Sequence, residues 1–280
     1  MNFPFRKIAL AVTFSPNALA LLNETKKLQD LFKAELVLIH VGEKNRDKEE
    51  IFNRLISDSN LNAGSFKVNW VNGEPSEAIL KSCTEEKVDL LVAGALEKEN
   101  LLKYYVGSVA RNILRNAPFS VLIMTTPSKE PKHLAKFCIA VDYTPEGELA
   151  IKKAYEFAML ENASEIVLLR EFQVPGLAMT VQDSGSTSEI EDKLIQWQKE
   201  EEDKLALFTK EMDIKGITIK PVCLYGRQGW EANRYIHEIG GDILVVPGPR
   251  KKLKMFDRIF QHDMEFILKQ LPGKFLVVKP

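Results

Sequence analysis

Cysteine is scarce in this 280-residue chain: Cys83, Cys138 and Cys223 are widely separated and no CxxC pair exists. That excludes a disulfide scaffold, a zinc ribbon and a dithiol redox motif, and suits a reducing cytoplasm. Charge of one sign is also lacking, with 38 Lys+Arg against 39 Asp+Glu and a net charge of -1. A nucleic-acid partner is therefore not expected, because phosphate neutralisation needs a basic excess. No apolar run approaches the ~20 residues of a membrane span, so no membrane partner is expected. The 15 glycines contain no GxG pair and no GxxxxGK[ST]. Dinucleotide, kinase and Walker-type phosphate loops are thereby excluded. No HExxH, GxSxG or SGGxDS pattern occurs, and His40, His133, His237 and His262 lie far apart. No nucleophile–base pair is evident, and neither a catalytic residue nor a metal site is expected. His40, at a strand end, reads as a structural hydrogen-bonding residue.

What is present is a repeat. Ala11-Val12-Thr13-Phe14-Ser15-Pro16 returns as Ala140-Val141-Asp142-Tyr143-Thr144-Pro145, 129 residues on (11 to 140). Glu35-Leu36-Val37-Leu38-Ile39 returns as Glu165-Ile166-Val167-Leu168-Leu169 at an offset of 130 (35 to 165). Asp89-Leu90-Leu91-Val92 returns as Asp242-Ile243-Leu244-Val245 at 153 (89 to 242). The second half thus carries 23 extra residues (130 to 153) between its second and third repeated segments. Arg6-Lys7 before Ile8–Val12 imitates a secretory leader. Its mid-chain copy around Lys136–Val141 argues that both are first strands.

The expected domains are 1–127 and 133–280, joined by the proline-bearing linker Thr126–Pro131, with an inserted loop and helix near 174–212. Ile8–Val12, Leu36–Val41, Leu90–Ala93 and Val121–Met124 are short continuous apolar runs, which suit strands covered on both faces. Helical spacing links Ala18, Leu21, Leu22, Leu28 and Leu31. It begins again at Ser76-Glu77 and at Val109, where Asn116-Ala117-Pro118 ends it. Ile190, Leu194, Trp197, Leu205 and Phe208 give the insertion a solvated helix with one apolar stripe. Alternating strands and helices predict an α/β fold with parallel sheets. Ligands of such sheets bind beyond the carboxyl ends of the strands.

Gly94 directly follows the third apolar run, and Gly107-Ser108-Val109-Ala110 opens a helix. A glycine there lets backbone approach a phosphate, and a Gly-Ser helix start offers free N–H donors and the positive dipole end. Together with Asp89–Gly94 and the strand order, this resembles the glycine pattern of the universal stress protein family, G-x2-G-x9-G-[ST]. The resemblance spans both halves. It implies two tandem Rossmann-like domains related by a pseudo-twofold axis, with Val121–Met124 and Phe275–Val278 paired as an intramolecular dimer. It also implies a cytoplasmic, non-enzymatic stress-response or signalling protein. ATP would bind in the first half through Thr13, Val41, Gly94, Gly107, Ser108 and Val109.

The chain departs from the family pattern in several places. Thr13 stands where the family carries Asp, and Glu97 replaces the middle glycine. In the second half Asp142 is kept, but Lys251 and Gln261-His262 replace the loop glycines and Asp263 enters the first helical turn. A carboxylate there competes with phosphate, so the second half is expected to bind no triphosphate. The basic run Arg250–Lys254 reads as a solvated loop, and Asp142 without its loop reads as a turn residue. The alternative reading is a ligand-free interaction module of the same fold, and homo-oligomerisation is left open.

Overall fold

The computed structural model describes residues 2–95, 107–173, 187–226, 229–248 and 272–280, with backbone only over 187–191. In the first half, strands β1 (Lys7–Ala11), β2 (Glu35–Val41), β3 (Phe66–Val71), β4 (Leu90–Gly94) and β5 (Ser120–Met124) alternate with four helices. These are α1 (Ala18–Phe32), α2 (Arg46–Asp58), α3 (Pro75–Glu85) and α4 (Ser108–Asn116). The second half contributes β6 (Lys136–Ala140), α5 (Pro145–Glu161), β7 (Glu165–Phe172), α6 (Thr187–Glu211), β8 (Thr218–Tyr225), α7 (Glu231–Glu238), β9 (Ile243–Pro247) and β10 (Lys274–Val278).

All ten strands form one sheet in the order β3-β2-β1-β4-β5-β10-β9-β6-β7-β8. Read outward from the centre, both halves have the same order. Every neighbouring pair is parallel except β5 and β10, which run antiparallel with Phe275 opposite Ile123 and Val277 opposite Val121. The expected pairing of the last strands is therefore observed. Register repeats as well: Lys7 lies opposite Glu35 and Lys136 opposite Glu165, and each pair closes an ion pair, at 3.4 and 3.0 Å.

The continuous apolar strands are explained by burial on both faces. On one face Ile8, Leu10, Leu36, Leu38, Leu90 and Val92 pack with Leu22 and Phe32 of α1, Phe52 of α2, Ala154 and Phe157 of α5 and Leu205 of α6. On the other, Ala9, Val37, Ile39, Leu91 and Ala93 pack with Ile79 and Cys83 of α3, Ile113 and Leu114 of α4 and Ile236 of α7. Burying each such large side chain contributes about 1.5–3 kcal/mol. Phe32 and Phe157 meet edge to face across the two halves at 4.9 Å. This geometry adds about 0.5–1.5 kcal/mol beyond area.

Three elements, β3, β8 and α2, had no apolar signature. β3 and β8 are the sheet's two edges, and their residues are half-buried or exposed. α2 buries only Phe52; Asn45 caps it by accepting from the Lys48 N–H at 3.0 Å. α3 begins at Pro75, one residue before the expected start, with the Glu74 carboxylate as its cap. The inserted helix is α6. Leu205 is buried and Phe208 packs on the core, while Trp197 is 36% exposed and Ile195 67%. Of the expected stripe, Leu205 and Phe208 join the core and Leu194 is half-buried, while the Ile190 side chain lies outside the described residues.

Candidate nucleotide site in the first half

β1 and β4 are neighbours, yet α1 after β1 covers one face and α4 after β4 covers the other. Strand order reverses there, leaving a crevice at the carboxyl ends where such sheets bind ligands. The sequence-derived residues all fall at this edge. Thr13 lies two residues beyond β1, exposed, its Oγ1 hydrogen-bonded to Ser15 Oγ at 3.1 Å. Val41 ends β2, half-buried, opposite Val71 of β3. Gly94 ends β4 opposite Met124 of β5. Gly107, buried and extended, precedes α4, whose first residues are the exposed Ser108 and the half-buried Val109.

α4, like α1, starts without a side-chain cap and without an acid in its first turn, unlike α2, α3 and α5. Side-chain oxygens cap α2 from Asn45, α3 from Glu74 and α5 from Thr144. Gly107 makes no side-chain cap bond, and no acidic residue occupies the first turn of α4. The leading N–H groups of this helix and its positive dipole end thus face the crevice without a competing carboxylate of the first turn.

Gly94 has a packing reason as well. A Cβ at that position would lie 2.7 Å from Cδ1 of Leu21, and Leu21 is buried on α1. His40, 7% exposed, was expected as a structural hydrogen-bonding residue, and its Nδ1 lies 3.0 Å from the Val12 carbonyl oxygen. Its ring sits between Phe14 at 4.5 Å and Trp70 at 4.6 Å.

The second half repeats the frame with different chemistry. Asp142 Oδ1 accepts from the Thr144 N–H at 3.1 Å and the Thr144 hydroxyl at 2.6 Å. It lies against the first turn of α5, where a Cβ on Gly147 would be 2.2 Å away. Asp142 is thus a turn residue. Arg170 takes the place of His40: its Nη1 donates to the Val141 carbonyl at 3.4 Å and its guanidinium covers the Tyr143 ring at 4.7 Å. Glu171 takes the place of Val41, and sequence reasoning missed it. Its carboxylate accepts from the N–H groups of Gly229 and Ala232, both at 2.7 Å, and so occupies the start of α7. The offset of 130 that aligns Val41 with Glu171 was visible in sequence; the turn it reaches was not. Glu97, the loop at 174–186, Arg250, Lys251, Gln261, His262 and Asp263 lie outside the described residues.

Among the described residues no group of three or more His, Cys, Asp or Glu could hold a metal ion. Burial pushes the Cys83 and Cys138 thiols up to about 12 and Cys223 up to about 11. None is a thiolate at neutral pH, so nucleophilic cysteine chemistry finds no support. Among the described residues no helix is long and apolar enough to cross a membrane.

Comparison with known proteins supports the fold. The model of the universal stress protein family matches residues 48–125. A universal stress protein of Methanocaldococcus jannaschii is 27% identical over 157 residues, covering 44% of this chain and 97% of its own. Two crystal structures share the fold over nearly the whole length. A candidate universal stress protein of Pseudomonas aeruginosa superposes with a TM-score of 0.71 at 19% identity, covering 99% of this chain and 94% of its own. A universal stress protein of Archaeoglobus fulgidus gives 0.68 at 14% identity, covering 99% and 97%.

Proposed function

Because the chain belongs to the universal stress protein family, we propose that it is a non-enzymatic, cytoplasmic stress-response or signalling protein. Its two units, 1–127 and 133–280, share the work unequally, and an adenine nucleotide such as ATP binds to the first. Thr13 and Val41 would flank the nucleoside. Gly94, Gly107, Ser108 and Val109 would cradle the phosphates with backbone N–H groups and the Ser108 hydroxyl. The observation that carries this reading is the start of α4, which opens on a glycine, lacks a side-chain cap and holds no acid in its first turn. Such an end favours an anion by about 0.3–1 kcal/mol when exposed.

The second unit acts as the structural partner. At the position of Val41 it carries Glu171, already bound to two backbone N–H groups, and Asp142 is engaged by Thr144. Calorimetric titration of the full chain with ATP should give one site per chain; two equal sites would overturn the division of labour. Gly107→Leu should abolish that binding, because its side chain fills the phosphate approach. Unchanged affinity in this variant would move the ligand elsewhere.

The packing of Leu21 over Gly94 favours a second reading, a ligand-free interaction module, in which Gly94 serves the core alone. Mass spectrometry of small molecules released on heat denaturation separates the two. A stoichiometric nucleotide supports the first reading; its absence, together with no ATP binding in calorimetry, supports the second.

A further inference from the structure

Lys279 of the second half is 6% exposed, a cation with almost no access to water. It lies one residue beyond β10, and β10 runs antiparallel to β5. The seam therefore carries it past the start of β5, where Ser120 Oγ accepts from its N–H at 3.0 Å. There its Nζ donates to the carbonyls of Leu114 and Ala117, at 3.2 and 2.5 Å. Leu114 is in the last turn of α4 and Ala117 is its C-cap. A cation at that end satisfies open carbonyls and complements the negative pole of the helix dipole. Room for it is built in, because a Cβ on Gly248, just after β9, would run into Lys279 Cγ. The helix so held is the one whose opposite end, Gly107-Ser108, is proposed to cradle phosphates. α4 has nine residues, so its two ends lie about 13 Å apart. The repeat supplies a contrast. β5 and β10 begin at 120 and 274, which makes Thr125 the counterpart of Lys279 at an offset of 154 (125 to 279). The Thr125 hydroxyl donates to the carbonyls of Pro272 and Gly273 at 3.1 and 3.2 Å. Across the seam a neutral hydroxyl thus serves the second half, and a buried cation serves the first.

We infer that Lys279 is a positioning residue of the first-half site: by holding the C-terminal end of α4 it fixes where that helix presents Gly107, Ser108 and Val109 to the phosphates, so that the second half completes the site of the first. The inference rests on the nucleotide reading above. Without Lys279 the carbonyls of Leu114 and Ala117 lose a charged donor in a place closed to water, which is a costly loss. α4 relieves it by shifting or fraying. A cradle of backbone N–H groups tolerates little displacement, because each hydrogen bond needs its partner within about 3 Å. Thr13 and Val41, proposed to flank the nucleoside, belong to other elements and stay in place.

The test compares ATP with adenosine by calorimetry on the full chain and on Lys279→Met, which keeps an unbranched side chain and removes its charge and donors. ATP affinity should fall about tenfold in the variant, and adenosine affinity should stay within about twofold of the wild type. Urea unfolding of the same samples measures the stability lost. A variant that is less stable but keeps the wild-type ratio of ATP to adenosine affinity shows a purely structural lysine. That result overturns the inference and leaves the nucleotide reading intact. Failure of the wild type to bind ATP overturns that reading, and this inference with it. Should Lys279→Met fail to fold, or adenosine bind too weakly to titrate, carbon NMR of the lysine-labelled wild type decides. The Lys279 Cε signal should shift as ATP is added, and an unmoved signal counts against the proposal.

Discussion

Lys27 Nζ in the first half lies 2.6 Å from Glu161 Oε1 in the second, and the Glu161 side chain is 1% exposed. The same carboxylate faces His133 Nδ1 at 3.1 Å and accepts from the Leu134 N–H at 3.2 Å. Lys27 also donates to the Lys132 carbonyl at 2.7 Å, so linker, α1 and α5 meet at one point. Nearby, Lys274 Nζ reaches Glu24 at 3.2 Å, again across the halves. Removing one member of a buried pair leaves the other uncompensated. Lys27→Met should cost about 3 kcal/mol in urea unfolding. A loss below about 0.5 kcal/mol would mean that His133 and Leu134 satisfy Glu161 by themselves.

Asp89 and Asp242 perform the same task at the starts of β4 and β9. Asp89 accepts from the N–H groups of Arg6 and Lys7 at 2.8 and 3.1 Å. Asp242 accepts from those of Ala135 and Lys136 at 2.7 and 2.8 Å. Each aligns the first strand of its half with the fourth. Asp89→Ala and Asp242→Ala should each destabilise by about 2 kcal/mol. The double variant should show their sum, since the two sites share no partner. Denaturant melts of all three variants check this, and strong non-additivity would show that the halves do not hold their registers independently.

Gly94 separates packing from ligand binding. Gly94→Ala places a methyl against Leu21 and should cost about 1 kcal/mol or more by overpacking. Adding Leu21→Val frees space and should restore part of that loss. Thermal unfolding of the single and double variants measures the coupling. If the two effects simply add, Leu21 is not what excludes a side chain at position 94.

Glu86 makes stability depend on pH. Hydrogen bonds from Asn69 first, then from Lys67 and Lys7, hold its carboxyl at about 2, below the ordinary 4.5. A depressed carboxylate favours folding above its unfolded pKa, and the contribution fades as pH falls through the folded value. Stability should therefore decline between about pH 4.5 and 2, and Glu86→Gln should flatten part of that slope. Urea midpoints at pH 6 and pH 3 for both proteins provide the measurement. An unchanged slope would assign the acid sensitivity to other carboxylates.

The sequence by itself determined the repeat, the parallel α/β class and the strands buried on both faces. Continuous apolar runs such as Leu36–Ile39 and Ile166–Leu169, set between helical patterns, suit strands covered on both faces, and constant offsets between the copies point to a common order. It also located the edge where Thr13, Val41, Gly94 and Gly107 gather, because parallel strands followed by helices place their carboxyl ends together. β3, β8 and α2 escaped detection because edge strands and a largely solvated helix need little apolar surface. Only the tertiary structure decided what each polar residue there faces. Asp142 turns onto Thr144, Glu171 crosses to Gly229 and Ala232, and His40 gives one nitrogen to Val12. Periodicity fixes which face a side chain takes, but a hydrogen bond needs its partner within about 3 Å. For Glu171 that partner lies 58 residues away, where folding alone brings it.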